Sequence, residues 1–245
     1  LKSTDFADER AVGSVFYFWK KEGGEIQMRH YKAVVFDLDG TLLDTLEDLT
    51  DSVNAALLAF GGSPKSIEQI RAYVGNGIRN LMIRCVEGGE DHPEFEQIFQ
   101  TFREHYKHNS RNKTKPYDGV IALLRTLKND GYLLAIVSNK ADFAVKDLNA
   151  YYFKEFGMAA VGEREGVARK PAPDAVWSAL KELGVSPEQA VYVGDSEVDV
   201  KTAEHANLPC ISVLWGFREK QFLKEHGAVC FAETAGDIPA LLEKI

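Results

Sequence analysis

The strongest constraint in this 245-residue chain is a change of rhythm. From Ala33 onward, apolar runs of strand length alternate with amphipathic helical patterns. Over residues 45–114 the alternation stops and only helical spacing remains. Ala33-Val34-Val35-Phe36 is the first run, and comparable ones occupy 132–137, 190–193, 210–214 and 228–231. Continuous apolar runs of that length read as strands buried on both faces. Val120, Leu123, Leu124 and Leu127 mark a helix ahead of the second run. Ala175, Val176, Ala179, Leu180 and Leu183 mark another ahead of the third, after Pro171 and Pro173 and before Gly184. Strands joined by such helices predict right-handed crossovers and a doubly wound, Rossmann-like α/β fold with a mostly parallel sheet. In a sheet of this kind the chemistry lies beyond the carboxyl ends of the strands, so the polar residues after each apolar run carry the functional reading.

The interrupting segment has four helical faces. Leu46, Leu49, Val53, Leu57 and Phe60 form one, closed by Gly61-Gly62. Ile67, Ile70 and Val74 form a second, closed by Gly75. Ile78, Leu81, Met82 and Cys85 form a third, and Phe95, Ile98, Phe99, Phe102 and Tyr106 a fourth. Short connections between such helices predict a compact antiparallel bundle. The expected organisation is an α/β core made of 28–44 and 115–245, with an all-helical domain, 45–114, inserted after its first strand. Residues 1–27 precede the patterned region, and their charges are in the wrong order for a secretory signal. They read as an extension of a domain starting near Met28, the alternative being an edge hairpin using Phe16 and Phe18.

Composition narrows the partners. Lys and Arg number 29 against 37 Asp and Glu, a net charge of −8, which argues against nucleic acid or an anionic membrane as partner. No apolar run approaches the ~18 residues of a spanning helix. The three cysteines (Cys85, Cys210, Cys230) are odd in number, lack metal-ligand spacing and suit a reducing cytoplasm.

Four signals carry chemistry. Asp37 and Asp39 follow the first strand at i and i+2, and carboxylates that close stay ionised together only if they share a cation. An EF-hand loop is a poor match, because its sixth position here is Leu42 and a strand precedes it. The second signal is Val193-Gly194-Asp195-Ser196-Glu197-Val198-Asp199, with Asp195 at a strand end and Asp199 one turn into the next helix; Ser196 reads as a helix N-cap. Two acidic strand ends in one parallel sheet make a Mg²⁺ cradle of oxygen ligands. The third and fourth are Ser138-Asn139 and Lys170, each where a neighbouring strand or loop meets that cluster.

Together, DLDGT (37–41), the Ser after a hydrophobic strand, the Lys before Pro-x-Pro and GDSEVD (194–199) resemble the haloacid dehalogenase superfamily. Within it the chain looks most like the phosphoglycolate phosphatases, through FDLDGTLLDT (36–45), VGNG (74–77), SNK (138–140), KPAPD (170–174) and VGDSEVD (193–199). The helical insertion matches that family's cap. The resemblance implies a Mg²⁺-dependent phosphomonoester hydrolase in the cytoplasm, acting on a small phosphate ester, most simply 2-phosphoglycolate, as a monomer or weak homodimer. Asp37 would be the nucleophile that forms an aspartyl-phosphate, and Asp39 the general acid and base. Asp37, the Asp39 main-chain carbonyl and Asp195 would hold the metal, with Asp199 supporting a metal-bound water. Ser138, Asn139, Thr41 and Lys170 would serve the phosphoryl group. The need for cations is quantitative: a carboxylate ~3.5 Å from a phosphate dianion costs on the order of 9 kcal/mol at an effective dielectric of about 20. In the cap, Asn76 and Arg79 are the candidates for substrate binding, Arg79 by pairing with a carboxylate. His92, His105 and His108 read as surface residues.

The rivals are a phosphatase for pyrophosphate, a sugar phosphate or a nucleotide, a β-phosphoglucomutase-like mutase, and a binding module without catalysis. Sugar-phosphate mutases typically carry Glu-Asp where this chain has Gly194-Asp195, which favours hydrolysis. Asp39, an acid for an alkoxide leaving group, separates the chain from dehalogenases and phosphonate hydrolases.

Overall fold

The computed structural model describes residues 19–22, 25–28, 31–75 and 77–245. Two compact units divide between His30 and Tyr31. In the first unit, β1 (Trp19–Glu22) and β2 (Glu25–Met28) pair antiparallel, with Trp19 opposite Met28. Phe16 and Phe18 lie outside the described residues.

The second unit is built on β3 (Ala33–Phe36), β4 (Leu43–Asp44), β5 (Lys115–Pro116), β6 (Leu133–Ala141), β7 (Ala159–Glu163), β8 (Ala190–Gly194), β9 (Cys210–Val213) and β10 (Cys230–Ala232). Six of these form one sheet in the order β10-β9-β8-β3-β6-β7, all neighbours parallel. The chain winds outward from β3 through β6 to β7, then returns to lay β8, β9 and β10 on the other side. The order therefore reverses at β3, and the crevice at such a switch point is where α/β sheets bind ligands.

Alternation along each strand builds two cores. Val34, Phe36, Leu134, Ile136, Val191 and Val193 face one side, covered by α5 (Val120–Asn129), α6 (Asp142–Tyr152) and α10 (Ile238–Leu242). Ala33, Val35, Ala135, Val137, Ala190 and Tyr192 face the other, against α7 (Asp174–Leu183) and α8 (Glu197–Ala206). The second face is rich in alanine, which lets α7 lie close to the strands. Helix α9 (Lys220–Glu225) packs Leu223 against Val200 and Ala228.

The four expected helical faces form α1 (Leu46–Ala59), α2 (Ile67–Tyr73), α3 (Gly77–Cys85) and α4 (Phe95–Asn109). They share a hydrophobic cluster of their own, centred on Leu49, Val53, Ile70, Leu81, Met82, Phe95 and Phe102. The two chain passages into and out of this segment pair as β4 and β5, Leu43 opposite Pro116 and Asp44 opposite Lys115. Buried Asp48, in the first turn of α1, accepts the backbone N–H groups of Lys113 (3.0 Å) and Thr114 (2.8 Å) and ties the passages together.

Two elements differ from the sequence reading. Edge strand β7 has no counterpart among the expected runs: Ala-Ala-Val-Gly-Glu carries little apolar signal, and only packing under α6 and α7 buries it. The strand expected at 132–137 continues to Ala141, and its pairing with β7 slips between Val137 and Ala141. Such a bulge lifts residues out of the ladder and re-aims their side chains. The lifted residues are Ser138, Asn139 and Lys140.

Candidate active site

Asp37 follows β3 and Asp195 follows β8, and these two strands are neighbours with Phe36 opposite Val193. The backbone N–H of Asp37 donates to the Val193 carbonyl at 2.9 Å, which extends the ladder by one residue and sets the two acidic strand ends side by side. Asp199 arrives on the first turn of α8. One oxygen from each of Asp37, Asp195 and Asp199 lies within 4.8 Å of the others.

Lys170 reaches the same point from the loop before α7. Its Nζ lies 2.8 Å from Asp37 Oδ1 and 2.7 Å from Asp199 Oδ1. Asn139 fixes this lysine by two hydrogen bonds to its backbone: Nδ2 donates to the Lys170 carbonyl (3.1 Å) and Oδ1 accepts its N–H (2.8 Å). Tyr192, wholly buried on β8, takes a hydrogen bond from Lys170 Nζ at 3.2 Å and gives its own to Asp199 Oδ1 at 3.1 Å. The other oxygen of Asp199 accepts from the N–H (3.1 Å) and hydroxyl (2.6 Å) of Ser196, the capping arrangement of α8. Asp199 thus has four donors on its two oxygens and is a support of the cluster.

Burial makes this group costly. Lys170 is 4% exposed, Asp195 1% and Asp199 0%. Burial and the repulsion of Asp199 push Asp195 up to about 7, against hydrogen bonding from Phe217 and the attraction of Lys170. Asp37 is pushed well above the usual carboxylate range by burial and by Asp199, with Lys170 opposing. Burial works to lower Lys170, but Asp199 and Asp37 override it and hold the ammonium well above its ordinary value. Three carboxylates against one ammonium leave two negative charges unbalanced. A divalent cation fits: the donors are hard oxygens, the deficit is two charges, and Asp37 and Asp195 keep lone pairs for it.

Asp195 is positioned by residues the sequence reading did not pick out. The loop after β9 brings the Phe217 N–H to Asp195 Oδ2 at 2.8 Å and packs the Phe217 ring into the helical cluster. Gly216 lies so close that a Cβ there would sit 2.3 Å from Asp195 Cβ and 2.5 Å from the Gly40 carbonyl. Gly40 itself has φ +91° and would put a Cβ 2.5 Å from Asp195 Oδ2, so glycine is required twice over. Thr41, a candidate for the substrate, donates its hydroxyl to Asp195 Oδ1 at 3.2 Å. The available signal was positional: 215–218 follows an apolar run at a carboxyl end, the place the fold marks for chemistry.

Asp39 faces a different partner. Lys140 Nζ donates to both its oxygens at 2.9 and 3.0 Å, and to the Tyr106 hydroxyl of α4 at 2.9 Å. A cavity of ≈ 50 Å³ lies between these groups and the helices, lined by Asp37, Asp39, Ser138, Asn139, Lys140 and Lys170 on the sheet side. Leu49, Val74, Gly75, Gly77, Ile78, Leu81 and Phe217 close it. Of the expected helical candidates, Asn76 lies outside the described residues. Arg79 is not brought to this cavity: its guanidinium pairs with Glu90 (2.7 Å) and Glu96 (2.5 Å) on the exposed side. The spacing Arg79–Glu90–Glu96 wins because exposed partners demand no desolvation. His92 and His105 are half-buried and His108 exposed, with His105 Nδ1 3.0 Å from Ser52 Oγ.

A switch-point sheet with an acid pair after its first strand, a buried lysine and a second acidic strand end defines a class. Residues 34–213 match the model of the haloacid dehalogenase-like hydrolases, and the chain belongs to that family. Among curated proteins, it is 32% identical over 213 residues to phosphoglycolate phosphatase 1 of Pseudomonas aeruginosa, covering 84% of this chain and 78% of that one. It is 34% identical over 221 residues to phosphoglycolate phosphatase of Pseudomonas putida, covering 86% and 78%. The crystal structure of a predicted phosphoglycolate phosphatase from Haemophilus somnus superposes with a TM-score of 0.79 at 27% identity, covering 86% of this chain and 98% of that one. The chain is therefore an enzyme of the hydrolase class. Among the described residues, no helix is long and apolar enough to cross a membrane.

Proposed function

We propose that this enzyme is a Mg²⁺-dependent phosphomonoester hydrolase working through an aspartyl-phosphate on Asp37, with 2-phosphoglycolate as substrate. The observation that carries the reading is the meeting of Asp37, Asp195 and Lys170 at the ends of β3 and β8. The relatives named above point to the same substrate.

An Asp37 oxygen bonds to phosphorus as the ester P–O bond breaks, and the departing alkoxide takes the proton of Asp39. A water then attacks phosphorus, Asp39 accepts its proton, and the bond to Asp37 breaks to release phosphate. Lys170 holds Asp37 in place and adds positive charge, while Ser138 and the backbone N–H groups of the bulge receive the phosphoryl oxygens. Asp37, the main-chain carbonyl of Asp39 and Asp195 would hold the ion, with Asp199 behind them. When bound, Mg²⁺ supplies the charge that lets a carboxylate approach a phosphate dianion. The segment α1–α4 acts as the cap that excludes water from this exchange.

The cavity has room for a few waters, ≈ 50 Å³ against the ~10–15 Å³ one water needs, so a phosphate ester enters by moving the helical wall. The cytoplasm and a monomer or weak homodimer complete the proposal. The test is phosphate release from an aryl phosphate and from a panel of small esters, with and without Mg²⁺, in wild type and Asp37→Asn. The expected result is Mg²⁺-dependent turnover, best on 2-phosphoglycolate, and a loss on the order of 10⁴-fold or more in D37N. Equal turnover by D37N sinks the nucleophile assignment.

A further inference from the structure

We infer that Lys140 selects substrates bearing a second anion beside the ester bond, by receiving that anion on the ammonium that otherwise faces Asp39. The inference deepens the substrate reading above and rests on it.

Two ammonium groups line the cavity. Lys170 is committed to Asp37 and Asp199, so its charge is spent on the acidic cluster. Lys140 has the carboxylate of Asp39 and a neutral hydroxyl, Tyr106, at 2.9 Å. An ammonium carries three donors, and one is enough to keep Asp39 oriented. With a second on Tyr106, the third can turn to a ligand without leaving the nitrogen's present position.

That position is fixed from the helical side. Besides its hydrogen bond, the Tyr106 ring lies 4.9 Å from Nζ, and the ring is itself stacked on Phe102. The bulge in β6 fixes it from the other side, because it lifts Lys140 out of the ladder toward the cavity. The result is a buried charge on a rigid base, 6% exposed.

Reach decides what it can bind. Asp39 is the group that meets the leaving oxygen, and Nζ sits 2.9 and 3.0 Å from its two carboxylate oxygens. In a two-carbon acid phosphate, a single methylene separates the ester oxygen from the carboxyl carbon, which puts a carboxylate oxygen about 3 Å from the ester oxygen by covalent geometry. The carboxylate therefore lands beside Asp39, within reach of the Lys140 ammonium. The rest of that wall is apolar, with Leu49, Ile78 and Leu81, and no other cation among the described residues lines the cavity. A substrate without the second anion leaves the ammonium on Asp39 and gains nothing from it.

The test compares kcat/KM for 2-phosphoglycolate and ethyl phosphate, which has the same two carbons and no carboxylate. Wild type is expected to prefer 2-phosphoglycolate, and Lys140→Met to lose ten- to a hundredfold of that preference, the loss of a charged hydrogen bond. Lys140→Gln, polar and shorter, gives the same readout should K140M not fold, and Lys140→Arg should keep part of the preference. If both activities fall by the same factor in K140M and K140Q, Lys140 only orients Asp39 and the inference is overturned. A wild-type enzyme that hydrolyses both esters equally well overturns the substrate reading, and this inference with it.

Discussion

Asp195 shows how much of the site is decided by a single side chain's surroundings. It accepts from Thr41 and from the Phe217 N–H, yet burial and Asp199 still push it up to about 7. A carboxyl raised in the folded chain binds its proton more tightly folded than unfolded. Its contribution to stability is therefore fully present below the unfolded value of ~4 and is lost as pH rises through about 7. In EDTA the protein should melt at progressively lower temperature as pH rises from about 5 to about 8. Added Mg²⁺ should raise the melting temperature more at the alkaline end, where it has no proton to displace. Thermal melts with EDTA or Mg²⁺ across that range check it, and Asp195→Asn should flatten both dependences. A Mg²⁺ effect that is the same at each pH would count against Asp195 as a ligand. The motif around Asp195 was legible because the chemistry needs an acid at a strand end. The groups that tune it were not, since Phe217 acts through its backbone and Gly216 through the absence of a side chain.

At the scale of elements, legibility followed the strength of the apolar pattern. Helices α1 to α4 and strands β3, β8 and β9 carry full hydrophobic faces and stand where the spacing puts them. Strand β7 carries alanine and glycine, and its Gly162 is set by α6: a Cβ there would lie 2.5 Å from Asp142 Cα. Nothing local in the sequence announces that contact. Lys140 was visible only as part of Ser-Asn-Lys, because a lysine's usual place is the surface; the bulge that buries it is a property of two strands in register. The hinge between sheet and helices was hidden for the same reason. Asp48 lies in a first helical turn, where an acid is usually exposed, yet it is 2% exposed and holds the Lys113 and Thr114 N–H groups from the returning passage. Asp48→Ala leaves the buried Thr114 N–H unmet and the Lys113 N–H to water, and should cost about 2–4 kcal/mol, a charged hydrogen bond being worth ~1.5–3. Urea unfolding measures it. A loss below about 0.5 kcal/mol, the range of ordinary surface changes, would show the staple to be idle.

For the molecule as a whole, the question is what holds the helical segment over the sheet and what must let go for a ligand to enter. The cavity is small and walled by Val74, Gly75 and Ile78 from the helical side, so entry requires that wall to move. Arg218, from the loop that also carries Phe217, spans the gap. It donates to the Arg71 and Val74 carbonyls at 2.9 and 2.7 Å, at the carboxyl end of α2, and its Nε pairs with Glu197 of α8 at 3.0 Å. A cation at a helix carboxyl end is favoured by the unmet carbonyls there, and Glu197 keeps the guanidinium aimed at them. The same six-residue loop, 214–219, thus grips Asp195 through Phe217 and α2 through Arg218, and it joins the state of the acidic cluster to the position of the wall. Removing the guanidinium should favour the open arrangement, so that substrate binding has to drive closure itself. Arg218→Ala is expected to raise KM for the substrate about fivefold to tenfold, the loss of ~1–1.4 kcal/mol of closing energy, with a smaller change in kcat. Backbone amides near 71–78 should exchange faster than in wild type, which hydrogen exchange reads without reference to activity. If exchange there is unchanged while kcat alone falls, Arg218 serves the chemistry and not the closure.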